Sequence, residues 1–182
     1  MPSLPTHFTT QNFTGRFKLN IARSIRVDEL LTSQGIQDAH QRLAIEHGEL
    51  AFNHFKDDDG QERIWIEQDI EGQIPPPAHE HLLDWFEREH HDNILGRVFR
   101  RIKRVKTPGL EPAFLRAGWS PDTLKHGVLL HEIRNDAWKV VETWGVEVKD
   151  GERYFARHVE FIEPNGSEHE TRLVYDYVGP IN

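Results

Sequence analysis

Residues 137–162 read AWKVVETWGVEVKDGERYFARHVEFI, and the Asp150-Gly151 pair at the centre decides how the two halves face each other. Asp-Gly between alternating apolar and polar segments signals a two-residue hairpin turn, and such a turn dictates which residues lie opposite. Val148 then pairs with Arg153, Val146 with Phe155, Trp144 with Arg157 and Glu142 with Val159. Upstream, a turn at Asn135-Asp136 pairs Ile133 with Trp138, His131 with Val140 and Leu129 with Glu142. In this register the more apolar faces of three consecutive strands coincide. They are Leu129, His131 and Ile133; Trp138, Val140, Glu142, Trp144, Val146 and Val148; and Phe155, Arg157, Val159 and Phe161. A shared apolar face of this kind is an interior. The next hairpin, around Asn165-Gly166, allows two registers. A two-residue turn would send Arg172 and Val174 inward, whereas a five-residue loop would put Tyr175 opposite Arg157; the second keeps Leu173 and Tyr177 with Tyr175 and is preferred.

Working outward, short alternating segments occupy residues 49–56, 62–70, 81–90, 94–105, 126–133, 137–148, 153–162 and 170–178, divided by Asp-Gly, Asn-Gly and Asn-Asp turn signals. Near the start, Phe13, Gly15, Phe17 and Leu19 alternate with polar residues and read as the first strand. Between Val27 and His47 the apolar spacing lengthens to that of helices, broken at Gly35. Strands joined by hairpins favour an up-and-down sheet, and closure removes its edges. The expected fold is therefore all-β, one antiparallel barrel of about nine or ten strands, as a single domain over 1–182 with a helical lid at 27–47. A long loop at 107–125, rich in Pro and Gly, is expected to cross one barrel end with Phe114, Leu115 and Trp119 as a plug.

Composition narrows the function classes. The chain has 182 residues, 37% of them hydrophobic, with ten Phe and five Trp, enough to line one interior. It has no cysteine, which excludes disulfide scaffolds, thiolate metal sites and cysteine nucleophiles and fits a reducing compartment. No stretch approaches the roughly 18 apolar residues of a membrane span, and Met1 to Asn20 lacks the apolar core of a signal peptide. A cytoplasmic location is the expectation. The net charge of −8 argues against nucleic acid as a partner.

The Phe13-x-Gly15-x-Phe17-x-Leu19 strand, followed by helices containing Asp28-Glu29-Leu30-Leu31 and Gly35-Ile36 and then by hairpins to the end, resembles the intracellular fatty-acid-binding-protein family within the calycins. The strongest match covers the first third. The resemblance implies two helices over a water-containing cavity that holds a lipid-like ligand. The chain is also similar to a group of fungal lipocalin-like proteins of unsettled activity, through Trp144-Gly145-Val146-Glu147, Gly151-Glu152-Arg153-Tyr154 and Leu173-Val174-Tyr175-Asp176-Tyr177. One departure matters. The fatty-acid binders end in an Arg-x-Tyr pair whose side chains both point inward onto a carboxylate. Here Arg172-Leu173-Val174-Tyr175 sends Arg172 and Tyr175 to opposite faces.

Polar members of the inner face are the site candidates: His131, Glu142, Arg157 and Tyr175, with Leu129, Val140, Trp144 and Phe155 as apolar walls around a ligand. A buried charge needs a partner, so Glu142 and Arg157 are expected to satisfy each other and leave His131 to orient or protonate a ligand. Two functions follow from that arrangement. The first is binding of a small hydrophobic molecule, fatty-acid-, polyketide- or terpenoid-like. The alternative is a cofactor-independent isomerase or cyclase acting on a secondary-metabolite intermediate, with His131, Glu142 and Arg157 as catalytic candidates. No cofactor is expected. His79, His81, His90 and His91 raise the question of a metal, but two ligands at such spacing arise by chance and none is expected here. The run Arg97 to Lys106 holds six bases in ten residues. It would serve either as a weak contact for an anionic surface or as a solvated strand facing the acidic segment Asp84 to Glu89, with Arg100 the one base expected to look inward.

Overall fold

The computed structural model describes residues 4–69 and 78–181. The ends of the expected 1–182 domain, and residue 70 at the close of the third expected strand, lie outside the described residues. The strands are β1 (Gly15–Leu19), β2 (Glu49–Lys56), β3 (Glu62–Asp69), β4 (His79–Leu82), β5 (Arg88–Asp92), β6 (Gly96–Val105), β7 (Val128–Arg134), β8 (Lys139–Lys149), β9 (Glu152–Ile162) and β10 (Glu168–Gly179). All pair antiparallel in one sheet of order β4-β3-β2-β1-β10-β9-β8-β7-β6-β5. The fold is thus the expected all-β, curled up-and-down sheet, with β1 and β10 joined as chain-distant neighbours.

The β8–β9 hairpin has the register read from its turn, from Glu142 opposite Val159 to Val148 opposite Arg153. Asp150 and Gly151 both have positive φ, 54° and 80°, as a turn matched to strand twist requires. At β7–β8 the register differs by two residues: His131 faces Glu142, Leu129 faces Trp144 and Ile133 faces Val140. The reason is a longer turn, in which the Asn135 side chain accepts from the Ala137 and Trp138 N–H groups and the Asn135 N–H bonds the Trp138 carbonyl. An even shift keeps every side chain on its face, so the interior is unchanged. Val148, at the strand end, is 49% exposed and leaves it. At β9–β10 a five-residue loop turns Tyr175 inward as preferred, but opposite Phe155, while Leu173 stands opposite Arg157.

The expected strand 81–90 divides into β4 and β5. Asp84 makes the break: its carboxylate accepts from the Phe86 N–H and from Arg88, and Trp85 takes a φ of 63°. Past the bend, the Trp85 N–H reaches the Ile102 carbonyl on β6 at 3.0 Å. The seam between the two ends of the sheet is otherwise stitched by side chains. Arg104 of β6 bonds Glu62 of β3 and the Thr10 carbonyl, and Glu62 in turn holds His54 at 2.8 Å.

One barrel end is packed solid by Phe8, Phe13, Phe17, Phe52 and Phe155, whose rings meet at 5.0–5.8 Å. Phe8 and Phe13 come from the N-terminal segment, which Arg153 clips by donating to the Pro5 and Phe8 carbonyls. The expected plug from 107–125 is therefore corrected. Its helices α3 (Ala113–Arg116) and α4 (Pro121–His126) lie on the outer face of β8 and β9, where Phe114 and Trp119 stack on His158 at 4.8 and 4.1 Å. Gly145 makes this seat, since a Cβ there would stand 2.7 Å from the Trp119 ring. The helices α1 (Val27–Ser33) and α2 (Ala39–His47) form the wall of the other end.

Candidate functional site

Between the aromatic floor and the two helices lies a cavity of about 370 Å³. Its apolar lining comes from Val27, Leu30 and Leu31 of α1, Ala44 and Ile45 of α2, Phe52 and Ile66 of the β2–β3 hairpin, and Val140, Trp144, Val159 and Leu173 of the later strands. Size and lining suit one small apolar molecule.

A band of polar side chains crosses the opposite wall. Arg157 clasps Glu142 through two nitrogens, Nε at 3.1 Å and Nη2 at 2.6 and 2.7 Å, and donates through Nη1 to the Tyr175 hydroxyl at 3.1 Å. His131 lies on the other side of Glu142, with Nδ1 2.8 Å from Oε1. The direct β7–β8 pairing puts these two residues face to face. Trp144 packs edge-on to His131 at 5.3 Å, with the Arg157 guanidinium 5.1 Å from its ring centre.

Burial alone would push Glu142 upward, but the charge of Arg157 and the bonds from His131 and Arg157 outweigh it and hold the carboxyl at about 2. Burial also opposes the charge on Arg157, yet Glu142 more than compensates and the guanidinium stays protonated. His131 is pushed below 6.5 by burial, against the pull of Glu142. A neutral His131 beside an ionised Glu142 carries its proton on Nδ1, which donates to the carboxylate and leaves Nε2 a bare acceptor. Among the described residues neither that Nε2 nor the Trp144 Nε1 donor has a partner, although both are buried. An unpaired acceptor and an unpaired donor on adjacent strands can each bond a polar ligand group, and a hydroxyl can serve either.

Of the residues expected to line a ligand, His131, Val140, Glu142, Trp144, Arg157 and Tyr175 border the cavity. Leu129 and Phe155 do not. Both are fully buried below it, Phe155 inside the aromatic floor and stacked on Tyr175 at 5.0 Å. Arg172 points outward to Glu147, with Nε at 2.9 Å, so the Arg-x-Tyr departure holds in three dimensions and the inward Arg beside Tyr175 comes from β9 instead.

The band continues beyond His131 with residues whose convergence the sequence reading missed. The His81 ring lies 5.5 Å from His131 and 5.7 Å from His90, which is 5.9 Å from His79. Arg100, the base expected to look inward, does so from β6 and bonds Asp92 at 2.6 Å. Alternation at His79 and His81 was the available signal, since both fall on one strand face. No group of three or more His, Asp or Glu among the described residues has the geometry to hold a metal ion. The other bases of 97–106 turn to neighbours: Arg97 to Glu89, Arg101 to Glu132 and the Trp85 ring, Lys103 to the same ring, Arg104 to Glu62, and Lys106 to the Lys125 carbonyl. No described helix is long and apolar enough to cross a membrane.

A curled antiparallel sheet with a helix pair over an internal cavity defines a calycin-like fold. Solved structures share it. The chain is similar to the fluorescent protein UnaG, at 14% identity and a TM-score of 0.52 over 91% of this chain and 97% of that one. It is similar also to secretory abundant heat soluble protein 4 from Ramazzottius varieornatus, at 10% identity and a TM-score of 0.55 over 95% and 99%. At these identities the likeness is one of fold. No protein-family model matches the chain, and no curated protein matches it by sequence.

Proposed function

We propose that this barrel binds one small, largely apolar molecule in its cavity and orients it by a hydrogen bond to the polar band. The observation that carries this reading is a pair of buried, unpartnered atoms, His131 Nε2 and Trp144 Nε1, beside a Glu142–Arg157–Tyr175 cluster whose members satisfy one another. An unmade buried hydrogen bond costs about 1–3 kcal/mol, so a guest that supplies it is favoured over one that cannot. The apolar walls add about 25 cal/mol for each Å² they remove from water. A fatty-acid-, polyketide- or terpenoid-like compound meets both conditions.

The test is native mass spectrometry of the purified protein, followed by denaturation and identification of what is released. A stoichiometric apolar compound, lost from His131→Ala, supports the reading. A barrel that arrives empty and takes up neither long-chain alcohols nor fluorescent apolar probes refutes it.

A second reading, a cofactor-independent isomerase or cyclase, is favoured by one feature. A neutral His131 oriented by Glu142 is the arrangement of a general base and its positioning carboxylate. A catalyst in which Glu142→Gln keeps ligand affinity but loses turnover would establish it; a carrier has only affinity to lose.

A further inference from the structure

The polar band is not uniform. At the Glu142 end every charge is matched, because Arg157 makes three contacts with the carboxylate and a fourth with Tyr175. An acidic ligand group placed there would meet the Glu142 charge at close range. The place where Arg157 and Tyr175 could hold a ligand carboxylate is thus already filled by the chain's own Glu142.

The other end has the opposite character. Arg100, only 9% exposed, spends one nitrogen on Asp92 and leaves Nε without a partner among the described residues. His81, 4% exposed, has an unpartnered Nε2. Both side chains border the cavity. Asp92 is the carboxylate bonded to Arg100, and its charge is shared: Oδ1 accepts from the Ile94 and Leu95 N–H groups while Oδ2 meets Arg100. Around His81 stand His79 on its own strand, His90 on β5, Arg100 on β6 and His131 on β7, all cations or potential cations. Burial, with their combined field, keeps His81 well below 6.5.

We propose that the His81–Arg100 end of the cavity is a subsite for an anionic headgroup, so that the ligand is an amphipathic acid with its carboxylate at Arg100 and His81. This rests on the cavity-binding reading above. The carboxylate would fill the vacant Arg100 Nε and accept from His81, beside imidazoles that can take up a proton to match its charge. The tail would run toward α1 and α2.

The experiment is titration calorimetry with dodecanoate and dodecanol, two ligands with the same tail. The wild-type protein should favour the acid by at least about tenfold, as one charge-assisted hydrogen bond supplies. Arg100→Met should bring the ratio to near one, and His81→Leu should lower it, with His81→Gln restoring part. Asp92→Asn should raise the ratio, because it removes the competing charge while its amide oxygen can still accept from Ile94 and Leu95. Opposite signs at two partners of one ion pair cannot come from loss of structure, which would shift both variants the same way. Binding of both ligands without preference, or equal effects of Arg100→Met and Asp92→Asn, overturns the subsite alone. Binding of neither ligand overturns the cavity reading and the subsite with it.

Discussion

Acid should unfold this barrel steeply, through three glutamates. Glu62, Glu142 and Glu147 are each held at about 2 against an ordinary 4.5. Burial works against all three and is outweighed by His54 and Arg104 at Glu62, by Arg157 and His131 at Glu142, and by His158 and Arg172 at Glu147. A carboxyl with a depressed folded value contributes stability that is complete above 4.5 and disappears as the pH falls toward 2. At roughly 1.4 kcal/mol per pH unit, each contributes up to about 3 kcal/mol. Near pH 3.5 the unfolded chain holds these protons and the folded chain does not, so stability should fall by roughly 3–4 kcal/mol per pH unit. Three such losses reach about 9 kcal/mol by pH 2, more than a domain in the lower half of the usual range of about 5–15 kcal/mol can lose. The interior histidines, two buried and one half-buried, begin the decline earlier. His81, His90 and His131 are kept below 6.5 mainly by burial, so the unfolded chain takes their protons first as the pH drops under 6.5. Urea titrations followed by tryptophan fluorescence at pH 7.5, 5.5, 4.5 and 3.5 measure the slope in each interval. A protein that loses less than about 1.4 kcal/mol between pH 4.5 and 3.5, the equivalent of a single proton, would refute the argument that these ion pairs hold in solution.

Three further outcomes are expected. Phe155→Ala should cost about 3–5 kcal/mol by chemical denaturation, because Phe155 touches Phe8, Phe13, Phe17, Phe52 and Tyr175 and nothing nearby can collapse into its place. Gly145→Ala should cost about 1–3 kcal/mol and alter the near-ultraviolet circular dichroism, since the added carbon meets the Trp119 ring at 2.7 Å and the Thr123 methyl at 2.8 Å. Sedimentation with vesicles should show no gain in binding when anionic lipid replaces zwitterionic lipid, because Arg97, Arg100, Arg101 and Arg104 are engaged within the protein.

The sequence carried the β8–β9 pairing because Asp150-Gly151 leaves one turn geometry. It carried the inner face of β7 even though the register there was two residues out, because an even slip preserves the side. What it could not carry was contact without periodicity. Phe8 lies among Pro, Thr and His residues with no alternation, so nothing marked it as part of the barrel floor. His79, His81 and His90 meet only because the sheet curls until its two ends approach, and no local pattern encodes that approach. The position of Trp119 was within reach. In the correct β8–β9 register Gly145 stands opposite Ala156, and two small residues facing outward side by side make the flat seat that an aromatic clip needs.

The buried Glu142–Arg157 pair is weak evidence for stability, because a hydrophobic pair of the same volume is often at least as stable as a buried ion pair. Its effect on what the cavity accepts is more telling. By clasping Arg157, Glu142 withdraws that cation from any ligand, and by accepting from His131 it sets the tautomer that exposes Nε2. One carboxylate thereby closes the site to an acid at one end and opens an acceptor beside it. Arg100, tied to Asp92 by a single contact, keeps the unspent donor. The two arginines of the interior therefore differ in availability rather than in charge, and in the proposed complex that difference would give a guest molecule one orientation.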